Sequence, residues 1–135
     1  MSVETFEFVG QGISKIYDNG KWVICIKNWQ PKNSIENIAK LEIHHKTDQQ
    51  YVLLTGKCFL ITAEPTKSEL DLQSTELKQG AVYSVKKETW FNTITEPGTK
   101  LLYIQDALTT SEPDNSEYHI ITPREHETIK NICKS

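Results

Sequence analysis

The stretch "LEIHHKTDQQYVLLTG", Leu41 to Gly56, decides how this chain is read. It sets two adjacent histidines, His44 and His45, a few residues ahead of Gln49. It then runs through the strand-like "YVLLT" and stops at Gly56. Imidazoles at the lip of a β-sheet, followed by a polar residue and a strand, suit a cup for a metal or a polar ligand. Successive strand residues point to opposite faces, so only one of the two histidines faces such a cup while the strand stays regular.

Outward from this stretch, short β-rich segments alternate with turn signals. "KWVICIK" (Lys21 to Lys27) alternates, with Trp22, Ile24 and Ile26 on one side, and Asp18-Asn19-Gly20 before it is a hairpin turn. "YVLLT" and "KCFLITAE" are separated by Gly56 alone, which predicts a tight bend or bulge. "AVYSV", "TWFNTIT", "KLLYIQDA" and "EYHII" (Glu117 to Ile121) complete a set of closely spaced strands. Such spacing predicts an all-β antiparallel sandwich or barrel in one domain, residues 1–135. One helix is marked over about 123–133. Thr122 caps it, Pro123 takes the first position, Glu125 follows three residues after the cap, and Ile129 and Ile132 share a face. That helix is expected on the outside of the β-structure. "TTSEPDNSE" before the last strand reads as a polar loop.

Bulk properties narrow the function classes. The formal charge is −3, which disfavours nucleic acid or an anionic membrane as the main partner. The start "MSVETFEFVG" lacks the basic and apolar regions of a signal peptide, and no apolar run reaches membrane-spanning length. Three cysteines, Cys25, Cys58 and Cys133, lie far apart without a CxxC pair, which disfavours a disulfide framework or cysteine zinc site. These features predict a cytoplasmic protein. Gly10-Gln11-Gly12 is a turn and not a nucleotide fingerprint, because Lys15 stands where the third glycine belongs.

On two motifs the chain resembles the cupin superfamily. The family's first motif has two histidines one residue apart, a glutamate three or four residues on, and a glycine after six more. Gly56 counts back to Gln49 at the glutamate position, with His44 or His45 as one histidine. The second motif begins here at Gly80. Lys86 and Glu88 replace its proline and second glycine, Phe91 takes its histidine position, and Asn92 follows. The resemblance covers roughly residues 34–107 as a barrel core. It implies a cupin-type antiparallel jelly-roll β-barrel with the C-terminal α-helix added.

The departures bear on the metal that the resemblance implies. Such a site needs about three protein ligands, and here Gln49 is neutral and Phe91 offers nothing to coordinate. With four residues before Gln49 the inward pair is Glu42 and His44; with three it is Ile43 and His45. Neither register supplies a metal site, so no metal and no cofactor is expected. The expected function is metal-free binding of a small polar, sugar-like metabolite. His44, His45, Gln49, Tyr51, Asn92 and Tyr103 would supply polar contacts, and Trp90 or Phe91 an apolar wall. Against this stand the bland readings: a solvated or hydrogen-bonded histidine pair, and core packing for Trp90-Phe91. His119 is read as a surface or mouth residue. The alternative is a metal-independent enzyme similar to the sugar-nucleotide keto-isomerases, with His45 as candidate general base. A metal-dependent lyase or dioxygenase comes third. The resemblance also implies a homodimer paired through strand edges.

Overall fold

The computed structural model describes residues 2–65 and 69–134. Ten strands run in chain order: β1 (Gly12–Asp18), β2 (Trp22–Asn28), β3 (Lys40–His44), β4 (Gln49–Thr55), β5 (Cys58–Glu64), β6 (Asp71–Glu76), β7 (Val82–Val85), β8 (Trp90–Thr95), β9 (Lys100–Asp106) and β10 (Ser116–Ile120). They form two five-stranded sheets, β1-β2-β9-β4-β7 and β10-β3-β8-β5-β6. Every strand pair is antiparallel. Both sheets draw on strands outside residues 34–107: β2 lies between β1 and β9, and β10 edges the second sheet.

Alternation builds two apolar layers. Val23, Cys25, Tyr51, Leu53, Leu101 and Tyr103 of the first sheet meet Cys58, Leu60 and Phe91 of the second, so this core lies between the sheets. Ile61 and Ile94 point the other way and pack with Ile38, Leu41 and Ile129. Ile129 belongs to the helix α2 (Pro123–Ile132), which therefore covers the outer face of the second sheet, as its sequence predicts. The cap forms as expected: Glu125 N–H donates to Thr122 Oγ1 (3.1 Å) and Thr122 N–H to Glu125 Oε1 (2.9 Å).

Two local features differ from the sequence reading. The segment read as a polar loop contains the short helix α1 (Leu108–Ser111), and its polar side chains are partly internal. Asn115 is fully buried; its Nδ2 donates to Thr47 Oγ1 (3.1 Å), and its Oδ1 accepts from Lys46 N–H (2.7 Å). Hydrogen bonding offsets the desolvation that composition alone assigns to solvent. Glu88, which replaces the motif's second glycine, has a φ of 65°. A side chain there costs about 1 kcal/mol. The turn is fixed to β3 by Glu88 N–H donating to His44 O (2.8 Å).

Candidate small-molecule cavity

Cross-strand pairing decides which side chains converge. Tyr51 lies opposite Tyr103, and Gln49 opposite Gln105, on the inner face of the first sheet. Glu42 lies opposite Phe91 on the second sheet. Together with Lys27 of β2 and His44 of β3 they line a cavity of about 570 Å³ between the sheets, and Asn92, Ser116 and Tyr118 also border it. That volume suits a small metabolite.

The register with Glu42 and His44 inward is the one adopted. His44 is 5% exposed. Its Nε2 lies 3.2 Å from Gln49 Oε1 and its Nδ1 2.8 Å from Ser116 Oγ. Because Gln49 Nε2 donates to Tyr51 Oη (2.8 Å), its amide oxygen faces the imidazole and accepts from Nε2–H. The other ring nitrogen then accepts from the Ser116 hydroxyl. The result is a continuous chain, Ser116–His44–Gln49–Tyr51, along one wall. Burial pushes the His44 imidazole below its ordinary pKa, against the opposing pull of Glu42, whose Oε1 is 3.6 Å from Nε2. Burial also raises the phenols of Tyr51 and Tyr103, so both remain neutral donors.

Two expected site residues lie elsewhere. His45 follows the end of β3 and points away from the cavity, where its ring meets Glu88 (3.1 Å) and Glu117 (2.8 Å). Those carboxylates raise its pKa, so the adjacent histidines are displaced in opposite directions. Trp90 faces outward, packs against the α2-side core and stacks near His119 at 5.8 Å. Alternation along β8 makes Phe91, not Trp90, the cavity wall. His119 is tied to Glu125 at the helix cap (2.8 Å) and does not line the cavity.

Lys27, like Ser116 and Gln105, is a site residue that sequence reasoning missed. It is 8% exposed and extends from the inner face of β2 to the opposite sheet, where Nζ donates to Thr93 Oγ1 (2.8 Å). The signal was the other half of the alternation in "KWVICIK": Val23, Cys25 and Lys27 share the inward face. Burial lowers its pKa from 10.5 to about 8, partly opposed by the negative charge of Glu42. The lowered value fixes the sign of a pH effect. Below about pH 8 the amine is charged in both folded and unfolded chains, and the full burial penalty, on the order of 3 kcal/mol, is present. Above it the folded state loses the proton first, and the penalty disappears by about pH 10.5. Lys27→Met is therefore expected to stabilise the ligand-free protein at neutral pH by about 1–3 kcal/mol. The gain should vanish near pH 10. Urea unfolding of both proteins across this range checks it, read as a difference because Cys58 titrates there with the opposite sign. A pH-independent gain would count against a charged Lys27.

The cupin resemblance implies a metal at positions 42, 44, 49 and 91, and these positions do converge. The donors do not fit: one imidazole, one carboxylate, one neutral amide already engaged on both sides, and a phenyl ring 5.3 Å from the imidazole. Among the described residues no group of three His, Cys, Asp or Glu side chains is placed to hold a metal ion. Nor, among them, is any helix long and apolar enough to cross a membrane.

No family model matches the chain. No curated protein matches it either. Among solved structures it is similar to BH2720 from Bacillus halodurans, at 16% identity and a TM-score of 0.56, over 71% of this chain and 70% of that one. It is similar to FeII HppE in complex with substrate at 13% identity and a TM-score of 0.52, over 76% of this chain. It spans 56% of that HppE chain and 40% of another HppE structure. A cupin-2 domain containing protein from Shewanella frigidimarina NCIMB 400 aligns at 13% identity and a TM-score of 0.49, over 72% of this chain and 82% of that one. At such identities the likeness is one of fold alone, and the two antiparallel sheets of this chain are consistent with the cupin-like β-fold that its two degenerate motifs imply.

Proposed function

We propose that this cupin-type jelly-roll binds a small polar metabolite of about sugar size in the inter-sheet cavity, without a metal. The observation that carries the reading is the buried chain Ser116–His44–Gln49–Tyr51, which lines a cavity of about 570 Å³. Buried polar groups are costly when unpaired, and this chain supplies oriented donors and acceptors at one wall of an otherwise partly apolar space. Phe91 supplies the flat apolar surface on which a sugar ring packs.

Ligand-observed NMR with a panel of monosaccharides, sugar acids and hydroxy acids tests the reading. The expected result is a binder whose affinity falls about tenfold in Tyr51→Phe, the worth of one lost hydrogen bond. No binder in the panel, or binding indifferent to that substitution, would count against it.

A second reading, proton transfer on a keto-sugar, is favoured by one observation. His44 is held in the cavity with a lowered pKa and a carboxylate 3.6 Å away. With His45 outside the cavity, the role of base passes to His44. Turnover of a keto-sugar nucleotide that is lost in His44→Ala but kept in His45→Ala would favour this reading over simple binding.

A further inference from the structure

We infer that Lys27 is the anchor for an anionic group, so that the metabolite bound in this cavity is a carboxylic acid. The inference rests on the binding reading above and narrows it to a ligand class.

Its basis is an unbalanced cation. Lys27 is 8% exposed and borders the cavity, and its Nζ donates to one neutral acceptor, Thr93 Oγ1. An ammonium has three donors, so two remain for other partners. Among the described residues no carboxylate lies within 4.0 Å of it to form an ion pair. Glu42 from β3 attracts it from further away, while Lys32, also on the cavity lining, repels it. Cys58, Tyr51 and Tyr103 are held neutral by burial, burial lowers the pKa of His44 on the same cavity lining, and Lys40, Glu112 and Tyr118 also border the cavity. A charge removed from water without a counter-ion is destabilising, and a carboxylate entering the cavity supplies that counter-ion. The phenols and the Gln49 chain then engage the polar remainder of the ligand.

A proton follows the ligand. In the empty protein the Lys27 amine titrates at about 8. A bound carboxylate favours the charged form and raises that value, so binding near pH 8 takes up about half a proton.

The test is calorimetry with D-glucuronate and D-glucose, a pair that differs by one carboxylate, on the wild type, Lys27→Met and Lys27→Gln. At about pH 7 glucuronate should bind the wild type at least about tenfold more tightly than glucose. The preference should collapse near pH 10, a readout on the unmodified protein that does not depend on either variant folding. Near pH 8 the observed enthalpy should differ between Tris and HEPES by the amount that proton uptake requires. Both variants should bind the two sugars alike. Equal affinities in the wild type, or a preference that survives at pH 10 or in the variants, would overturn the inference. Glucose binding unaccompanied by glucuronate binding would do the same while leaving the cavity's binding role intact. Binding of neither would remove both.

Discussion

Gly56→Ala lowers the stability of the fold by about 3 kcal/mol or more, a larger loss than any other glycine-to-alanine change among the described turns should give. Gly56 joins β4 to β5 with a φ of 91°, where a side chain is strained before any contact is counted. An added Cβ would also fall on Thr99, 2.5 Å from its Cα and closer still to its Oγ1. Thr99 cannot retreat. It is 3% exposed, its Oγ1 accepts from Lys57 N–H and donates to Lys57 O, both at 3.0 Å, and its carbonyl accepts from Trp29 N–H. The bulge between Leu53 and Thr55 against β9 lies next to this close approach in the chain. Gly20→Ala is the control, since its φ of 83° is similar but nothing lies within 4 Å of the added atom. It should cost about 1 kcal/mol. Denaturant unfolding of both variants separates backbone strain from steric overlap, and equal losses would show that the Thr99 contact is relieved cheaply.

The same glycine shows what the sequence could reveal. Gly56 between two strand patterns, the Asp18-Asn19-Gly20 turn and the Thr122–Pro123–Glu125 cap are local signals. Each appears where it was read: Asp18 Oδ1 accepts from Gly20 N–H at 2.8 Å, and the cap is reciprocal. The site was less legible because it depends on which face of each strand turns inward. In "KWVICIK" the apolar face of Trp22, Ile24 and Ile26 was the conspicuous one, yet Val23, Cys25 and Lys27 point between the sheets. Period-two alternation defines two faces without saying which is the core when both carry apolar residues. The choice between His44 and His45 likewise rests on pairing with β10, which sets Ser116 opposite His44 from 72 residues away. Asn115 was hidden for a different reason: a buried asparagine is paired by geometry, with Thr47 and Lys46, which composition does not encode.

Restoring metal ligands should change affinity most of all. In the native chain Glu42, His44, Gln49 and Phe91 converge, but His44 offers the only imidazole, and its Nε2 is engaged by an amide that is itself bonded to Tyr51. The buried Lys27 amine, charged below about pH 8, adds repulsion toward a dication. Weak binding of zinc, iron or manganese is expected. Gln49→Glu with Phe91→His replaces the neutral amide by an anion and the phenyl ring by a second imidazole. The site then has two imidazoles and two carboxylates, Glu42 included, on positions that already meet across β3, β4 and β8. Affinity for zinc should rise by at least about two orders of magnitude, since each added ligand contributes more than the 10- to 100-fold typical of supporting partners. Adding Lys27→Met should raise it again, and that third change separates charge repulsion from ligand count. Metal titration by calorimetry at about pH 7 measures all four proteins: wild type, double variant, triple variant and Lys27→Met. Tight binding by the wild type would mean that His44 leaves Gln49 readily and that the native donors suffice to hold a metal. No gain in the double variant would mean that positions 49 and 91 do not reach a common point. The 3.2 Å contact of His44 with Gln49 and the 5.3 Å contact with Phe91 place both around one imidazole, and so favour the gain.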